Sequence, residues 1–248
     1  AAAGGGHDLV YLSQVFFNSA YVVPDLAALV AAVPDADTLV VIDGYHGFMA
    51  VPTDLSAIEQ RAFYLAGGYK YAMAGEGAGF AHCPPGYVER PPDTGWLAGF
   101  AHLSTGAGGK VAYAPGGGRL LGGTLDPTGL YRLNAVQRWL DELGLTVADI
   151  HAHVRRLQDR FLAAGPHPEL LPAQKKAGTD AASGAAGERG HFLTFRLSDA
   201  AAVHAALHAV GVITDYRADR LRIGFGLYHD EADVDELLRR LAGIPAWP

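Results

Sequence analysis

"TLVVIDGYHG" (residues 38–47) decides the fold. An apolar run, Leu39 to Ile42, meets an acid at Asp43 and a glycine at Gly44. A short β-branched run bounded in this way reads as a buried strand. Upstream, "PDLAALVAAVP" (24–34) reads as a short helix, with Pro24 in its first turn and Leu26, Leu29 and Val30 on one face. Further upstream, "DLVYLSQVFF" (8–17) reads as a buried strand with a polar outlet at Ser13 and Gln14. Downstream, "RAFYLAGGYKY" (61–71) and "GFAHCPP" (79–85) read as two more short strands. Strand, helix, strand at this spacing makes a βαβ unit, so the expected class is α/β with a mainly parallel sheet. Such sheets bind ligands at the carboxyl ends of their strands. Asp43 and Lys70 each stand at such an end.

From about residue 98 the texture changes. "STGAGGKVAYAPGGGRLLGGTLDPTG" (104–129) is glycine-rich and irregular, and two helices follow, over 130–144 and 146–164. In the second, Thr146 is the expected N-cap, with Asp149 at the capping-box position. Val147, Ile150, Val154, Leu157 and Phe161 make one apolar stripe at helical spacing. A loop-like stretch over 165–189 leads to strand 191–197, helix 199–211, strands "VITDY" and "RLRIGF", and helix 230–243. The expected division is residues 1–97 as part of a large domain, 98–164 as a glycine-rich segment with bridging helices, and 165–248 as a smaller α+β domain.

The chain has 248 residues, half of them hydrophobic and 18% charged, enough for a sizeable core. A formal charge of −7 argues against nucleic acid or an anionic membrane surface as partner, since both call for a basic field. No apolar run is long enough to span a bilayer. The single cysteine, Cys83, excludes an intrachain disulfide and fits a reducing cytoplasm. The first residues lack both an initiator Met and a secretion signal, and the expectation is a fragment or processed product.

Asp43, His46 and Lys70 need one explanation. A lysine at a strand end can snorkel to water, and a direct Asp43–Lys70 ion pair would satisfy both charges. Neither accounts for the glycines beside Lys70 or for His46 three residues after Asp43. Pyridoxal 5'-phosphate accounts for all of it. That cofactor needs a lysine amine for its aldehyde and an acid beside its pyridine nitrogen. A flat side chain near the ring helps to fix it, and glycines allow close backbone approach. Burial beside a cationic ring would also favour the neutral, nucleophilic amine.

"SQVFFNSAYVVPDL", "VVIDGYHGFMAVPTDL" and "AGGYKYAMAGEGAGF", in this order, resemble the class V aminotransferase group of fold-type I pyridoxal-phosphate enzymes, and within it kynureninase. The resemblance implies a pyridoxal-phosphate-transferase-like large domain, present in part, ahead of the small α+β domain. It covers nearly the whole chain but only the later part of a family enzyme. It implies that Lys70 carries the internal aldimine, Asp43 pairs with the pyridine nitrogen and His46 sits by the ring. Tyr69 would offer its hydroxyl to the phosphate. Trp96 in "TGWLAGF", and Gly123 and Thr124 in "GGTLDPTG", would reach the phosphate across a homodimer interface. Read alone, Trp96 also suits a core aromatic and the glycine-rich segment a surface loop. Arg222 in "RLRIGFGLYH" would hold the substrate α-carboxylate, a task that suits a planar guanidinium; read alone, it suits a surface arginine on an edge strand. The implied activity is kynureninase-like C–C hydrolysis or β-lyase chemistry on a small amino acid. An aminotransferase, or a catalytically silent dimerising relative, is the alternative.

Other signals are weaker. Cys83 follows Lys70 by 13 residues within a strand-like run and reads as a small buried core residue, which argues against desulfurase chemistry. His151 and His153 read as solvated surface. His204 and His208 have helical metal-ligand spacing but no acid or cysteine close by in sequence. "GAGGKV" (106–111) is too short for a phosphate loop, and no nucleophile elbow is present.

Overall fold

The computed structural model describes residues 6–104, 111–166, 170 and 189–244. Most of "GAGGKV" and of the 165–189 loop lies outside these residues. The chain packs as two compact units that interleave along the sequence. The first comprises Ala1–Leu12, Asp25–Tyr45 and Asp54–Arg138; the second comprises Ser13–Pro24, His46–Thr53 and Trp139–Pro248. The sequence division at 97 and 164 follows chain order, whereas the packing draws two early segments into the later unit. Hydrogen bonds show how: Gly190 N–H donates to the Ala20 carbonyl at 2.9 Å, and His151 Nδ1 lies 3.0 Å from the Ala50 carbonyl.

The first unit carries β1 (Leu9–Ser13), α1 (Leu26–Ala31), β2 (Leu39–Asp43), β3 (Ala62–Gly67) and β4 (Gly79–His82), in the sheet order β1-β2-β3-β4. β2 and β3 run parallel, from Val40 opposite Ala62 to Asp43 opposite Leu65. β4 returns antiparallel, with Gly67 opposite Gly79. Val40 and Ile42 of β2, and Ala62, Tyr64 and Ala66 of β3, are buried at alternate positions. β1 differs from expectation. It is shorter than 8–17, and Leu9 and Tyr11 are exposed while Val10 is buried. The alternation of exposed and buried residues along β1 shows that one of its faces is covered and the other open. α1 starts later than expected. Asp25 is the N-cap, its carboxylate accepting from Ala28 N–H at 2.8 Å, and Pro24 stands just before it. The capping oxygen satisfies a helix-end donor, which proline cannot do.

Beyond β4, short 3₁₀ turns span Trp96–His102 and Gly117–Leu120 before α2 (Thr128–Glu142). The irregular segment is organised by Arg119. This buried guanidinium donates to the carbonyls of Val88, Pro115 and Gly116 at 3.0, 3.0 and 3.1 Å, and also to that of Tyr87 at 2.6 Å. Loop carbonyls that would otherwise need water are thereby satisfied.

The second unit carries α3 (Val147–Ala163), β5 (Phe192–Arg196), α4 (Ala200–Ala209), β6 (Asp215–Arg217), β7 (Arg220–Gly224) and α5 (Glu231–Ala242). Thr146 and Asp149 form the expected capping box, and Asp230 and Asp233 form another at α5. The sheet order is β5-β7-β6, antiparallel throughout. Its core face packs Phe195, Leu221 and Ile223 with Phe161 of α3, Leu207 of α4 and Leu241 of α5. Leu207 is fully buried in this cluster. Leu207→Ala is expected to lower unfolding stability by about 3 kcal/mol, because the cavity adds to the lost transfer energy; chemical denaturation measures it.

Candidate active site

Three of the expected site residues gather at one end of the first unit's sheet. β2 and β3 are parallel neighbours, so Asp43 and the β3 exit at Gly67 share the carboxyl edge. Asp43 Oδ1 accepts from Tyr45 N–H at 2.9 Å, and Gly44 N–H donates to the Leu65 carbonyl at 2.8 Å. These bonds fix the turn that leaves β2. Gly44 is required there: a Cβ would lie 2.0 Å from the ring of Tyr64.

Lys70 lies just past β3 in a loop closed on Gly68. Gly68 N–H donates to the Ala78 carbonyl at 2.7 Å, and Ala74 N–H donates to the Gly68 carbonyl at 2.8 Å. Within the loop, Met73 N–H donates to the Lys70 carbonyl at 3.1 Å. From α2, Arg132 holds the loop by donating to the Glu76 carbonyl. The glycines before Lys70 admit the protein's own side chains. A Cβ on Gly67 would fall 2.6 Å from Tyr45, and one on Gly68 would fall 3.1 Å from the side chains of Ala74 and Ala78.

Lys70 is half-buried, and its amine stands 5.2 Å from the centroid of the Tyr69 ring. Tyr69 packs on Tyr45 with centroids 5.7 Å apart. Tyr11 hydrogen-bonds to Asp43. Desolvation, followed by that hydrogen bond, pushes the Tyr11 hydroxyl above its ordinary range. The Tyr64 hydroxyl is pushed up by burial first and by the Asp43 charge second. The Tyr69 hydroxyl is pushed up by desolvation, then by Tyr45, Glu76 and Asp43. The Asp43 charge thus helps to keep three nearby tyrosine hydroxyls protonated. Sequence reading missed Tyr11 and Tyr45, although Tyr45 stands between Asp43 and His46.

Trp96, Gly123 and Thr124 come from adjacent stretches of the first unit. Gly95 N–H donates to the Leu121 carbonyl at 3.0 Å, and Leu97 N–H to the Gly122 carbonyl at 3.3 Å. Trp96 is 48% exposed and stacks obliquely on Phe100, so it is not a core aromatic. Cys83 is half-buried rather than buried, since β4 ends at His82; desolvation pushes its thiol above the usual range.

His46 and Arg222 belong to the second unit, where both lie on the Phe192 ring, at 5.6 Å and 5.6 Å. Arg222 does not sit on an edge strand: β7 is the middle strand, with Thr194 opposite on one side and Asp215 on the other. Its guanidinium pairs with Asp215 and lies 5.7 Å from the Phe17 ring. The Thr194 hydroxyl beside it is buried with no hydrogen-bond partner.

His151 is buried, not solvated. It stacks on His191 with centroids 5.4 Å apart, its Nδ1 3.3 Å from His191 Nε2. The α3 stripe turns this position inward, where the Ala50 carbonyl receives it. Burial first, and His151 second, push His191 down to about 3, against a smaller opposing effect of the Ala50 carbonyl. An unfolded histidine takes up its proton near pH 6.5, whereas folded His191 resists until about 3. Acid therefore favours unfolding through this window. Stability is expected to fall between pH 6.5 and 3 with a slope of up to about 1.4 kcal/mol per pH unit. Denaturation curves across that range should lose this slope in His191→Gln. His204 Nδ1 lies 2.8 Å from Thr214 Oγ1, and no group of His, Cys, Asp or Glu suited to a metal occurs among the described residues. No helix among them is long and apolar enough to cross a membrane.

Residues 169–241 match the family model described as Kynureninase C-terminal domain. A cysteine desulfurase from Thermococcus onnurineus NA1 is similar in structure, with TM-score 0.72 and 16% identity over 94% of this chain and 58% of that one. The cystine C-S lyase C-DES, solved with its product cysteine persulfide, gives TM-score 0.77 and 19% identity over 98% of this chain and 64% of that one. A C-DES mutant with glycine covalently linked to its PLP cofactor gives 0.76 and 22%, over 98% and 63%. The chain shares the fold of these structures. The chain spans about three fifths of the length of these structures, 58 to 64%. No curated protein matches it.

Proposed function

We propose that the chain binds pyridoxal 5'-phosphate through Lys70 and acts on a small amino acid, with kynureninase-like C–C hydrolysis or β-lyase chemistry. One observation carries this reading: an amine and a carboxylate are placed by adjacent parallel strands at one carboxyl edge. The donor set fits the cofactor. Lys70 offers a nucleophile, Asp43 an anion for the pyridine nitrogen, and Tyr69 an exposed hydroxyl for the phosphate. When bound, pyridoxal phosphate would supply an aldehyde that captures the substrate amine and a cationic ring that withdraws electrons from Cα.

The protein's own residues divide the remaining work. Asp43 holds the proton on the pyridine nitrogen, and the Tyr45 amide fixes the carboxylate for that task. Lys70 Nζ would serve as the base that takes a proton from the substrate Cα. His46 is assigned to the face of the ring, and Arg222 to the substrate α-carboxylate. Trp96, Gly123 and Thr124 are assigned to the phosphate of a second copy in a homodimer. The apolar exposure of Trp96, Phe100, Leu103, Leu121 and Leu125 supports an interface there. The half-buried, poorly ionised Cys83 is unsuited to persulfide chemistry.

A product assay tests the reading. The cofactor-loaded protein given L-kynurenine should release anthranilate and alanine; given cystine, a lyase would release pyruvate. A 2-keto acid formed from the intact substrate skeleton would establish the aminotransferase branch instead. No turnover of any amino acid, with no cofactor bound, would overturn the proposal.

A further inference from the structure

The geometry points to Tyr11 as the residue that positions the Asp43 carboxylate for the pyridine nitrogen of the cofactor. This rests on the assignment of Asp43 made above and adds to it a side chain that holds the anion in place. β1 and β2 are neighbours in the sheet, and Leu39 N–H donates to the Asp8 carbonyl at 2.9 Å. Both strands run onward from that bond, over Leu9–Ser13 and Leu39–Asp43, so they are parallel and Tyr11 stands level with Val41. Val10, Val40 and Ile42 are buried on one face. Tyr11, Val41 and Asp43 therefore share the other. On that face Asp43 is the next residue of β2 after Val41, a diagonal neighbour within reach of a tyrosine side chain. The Tyr11 hydroxyl spans this diagonal and donates to the Asp43 carboxylate.

Tyr45 and Tyr64 are placed for different work. Tyr45 gives Asp43 its amide, at 2.9 Å, but its ring turns toward β4. A Cβ on Gly67 would lie 2.6 Å from that ring, and one on Gly79, opposite Gly67, would lie 3.8 Å from the Tyr45 hydroxyl. The ring therefore covers the Gly67–Gly79 pair. Tyr64 stands opposite Ile42 on the buried face. Tyr11 is the one of the three whose hydroxyl meets Asp43 across the open face.

A phenol suits this task better than a cation would. As a neutral donor it orders the carboxylate without neutralising it, and the charge remains for the ring nitrogen. A carboxylate has about four acceptor sites, so the Tyr45 amide and the Tyr11 hydroxyl leave room for a further donor. Tyr11 is 51% exposed, so water competes for the bond and its effect on folding is small. Its effect lies in order. A carboxylate free to rotate must be fixed when the cofactor arrives, and that ordering weakens binding. Tyr11 fixes it beforehand.

The test is Tyr11→Phe, which keeps the ring and removes the hydroxyl. Equilibrium dialysis of the cofactor-free protein against pyridoxal 5'-phosphate gives the dissociation constant. It should rise about tenfold, equivalent to about 1.4 kcal/mol, with the thermal midpoint of the cofactor-free protein unchanged. In an Asp43→Asn background the same change should alter the constant by less than twofold, because the anion on which Tyr11 acts is gone. An unchanged constant in Tyr11→Phe overturns the positioning role. A tighter one also overturns it, by showing that the hydroxyl occupies the place of the ring nitrogen. Equal weakening in both backgrounds overturns it too, since Tyr11 would then act on the cofactor without Asp43. Asp43→Asn alone separates the two levels. If it weakens cofactor binding while Tyr11→Phe does not, only this inference fails; if it leaves binding unchanged, or the unaltered protein binds no cofactor, the assignment of Asp43 itself fails.

Discussion

Lys70→Ala is expected to lower kcat/KM on the amino-acid substrate by about 10,000-fold or more, a loss of over 5 kcal/mol in transition-state stabilisation. Two tasks fall on the one amine, nucleophile toward the cofactor and base at Cα, and alanine performs neither. The protein should nevertheless fold. Lys70 is half-buried on a loop whose closure uses backbone groups of Gly68, Ala74 and Ala78, all of which survive the change. Thermal unfolding should shift by no more than a surface substitution usually causes. Steady-state kinetics alongside a melting curve give both numbers. Activity within tenfold of the unaltered protein would remove Lys70 from the chemistry.

Asp43→Asn should lower kcat by about 1,000-fold, the scale on which loss of one fixed electrostatic partner is felt in a preorganised site. Asparagine retains an oxygen for the 2.9 Å bond from Tyr45 N–H, so the turn after β2 should persist. What disappears is the anion. A pyridine nitrogen facing a neutral amide would lose its proton and with it the electron-withdrawing power of the ring. The tyrosines report the same change independently. The Asp43 charge helps to hold Tyr11, Tyr64 and Tyr69 protonated, so their ultraviolet titration should move to lower pH in the variant. Loss of kcat without that movement would show that the Asp43 charge does not act on these tyrosines.

Much of this was legible before any coordinates. The strand end at Asp43 and the parallel pairing were legible in short apolar runs, whereas the second strand, expected over 61–71, stops at Gly67 and leaves Lys70 in the loop beyond it. The cap at Thr146 and the stripe from Ile150 to Phe161 were legible because both depend on local spacing. Failures came where tertiary context rules. His151 lies two residues from His153 on one helix, yet a carbonyl from a distant turn and a second imidazole bury it. Arg222 looked like an edge arginine because sequence order puts β7 last, while the sheet order β5-β7-β6 puts it in the middle. Its partner Asp215 was invisible for the same reason. Arg119 sat unnoticed in a glycine-rich stretch, since nothing local reveals that a guanidinium will collect four loop carbonyls. The tyrosine collar was missed because Tyr11 and Tyr64 reach Asp43 from neighbouring strands rather than along the chain.

Borohydride reduction of the cofactor-loaded protein, followed by peptide mapping, tests the central claim most directly. The sequence has lysines only at positions 70, 110, 175 and 176, so the map is unambiguous. The account predicts a pyridoxyl group on Lys70 and none on Lys110, Lys175 or Lys176. An unmodified Lys70, in protein that carries the cofactor elsewhere or not at all, would contradict it.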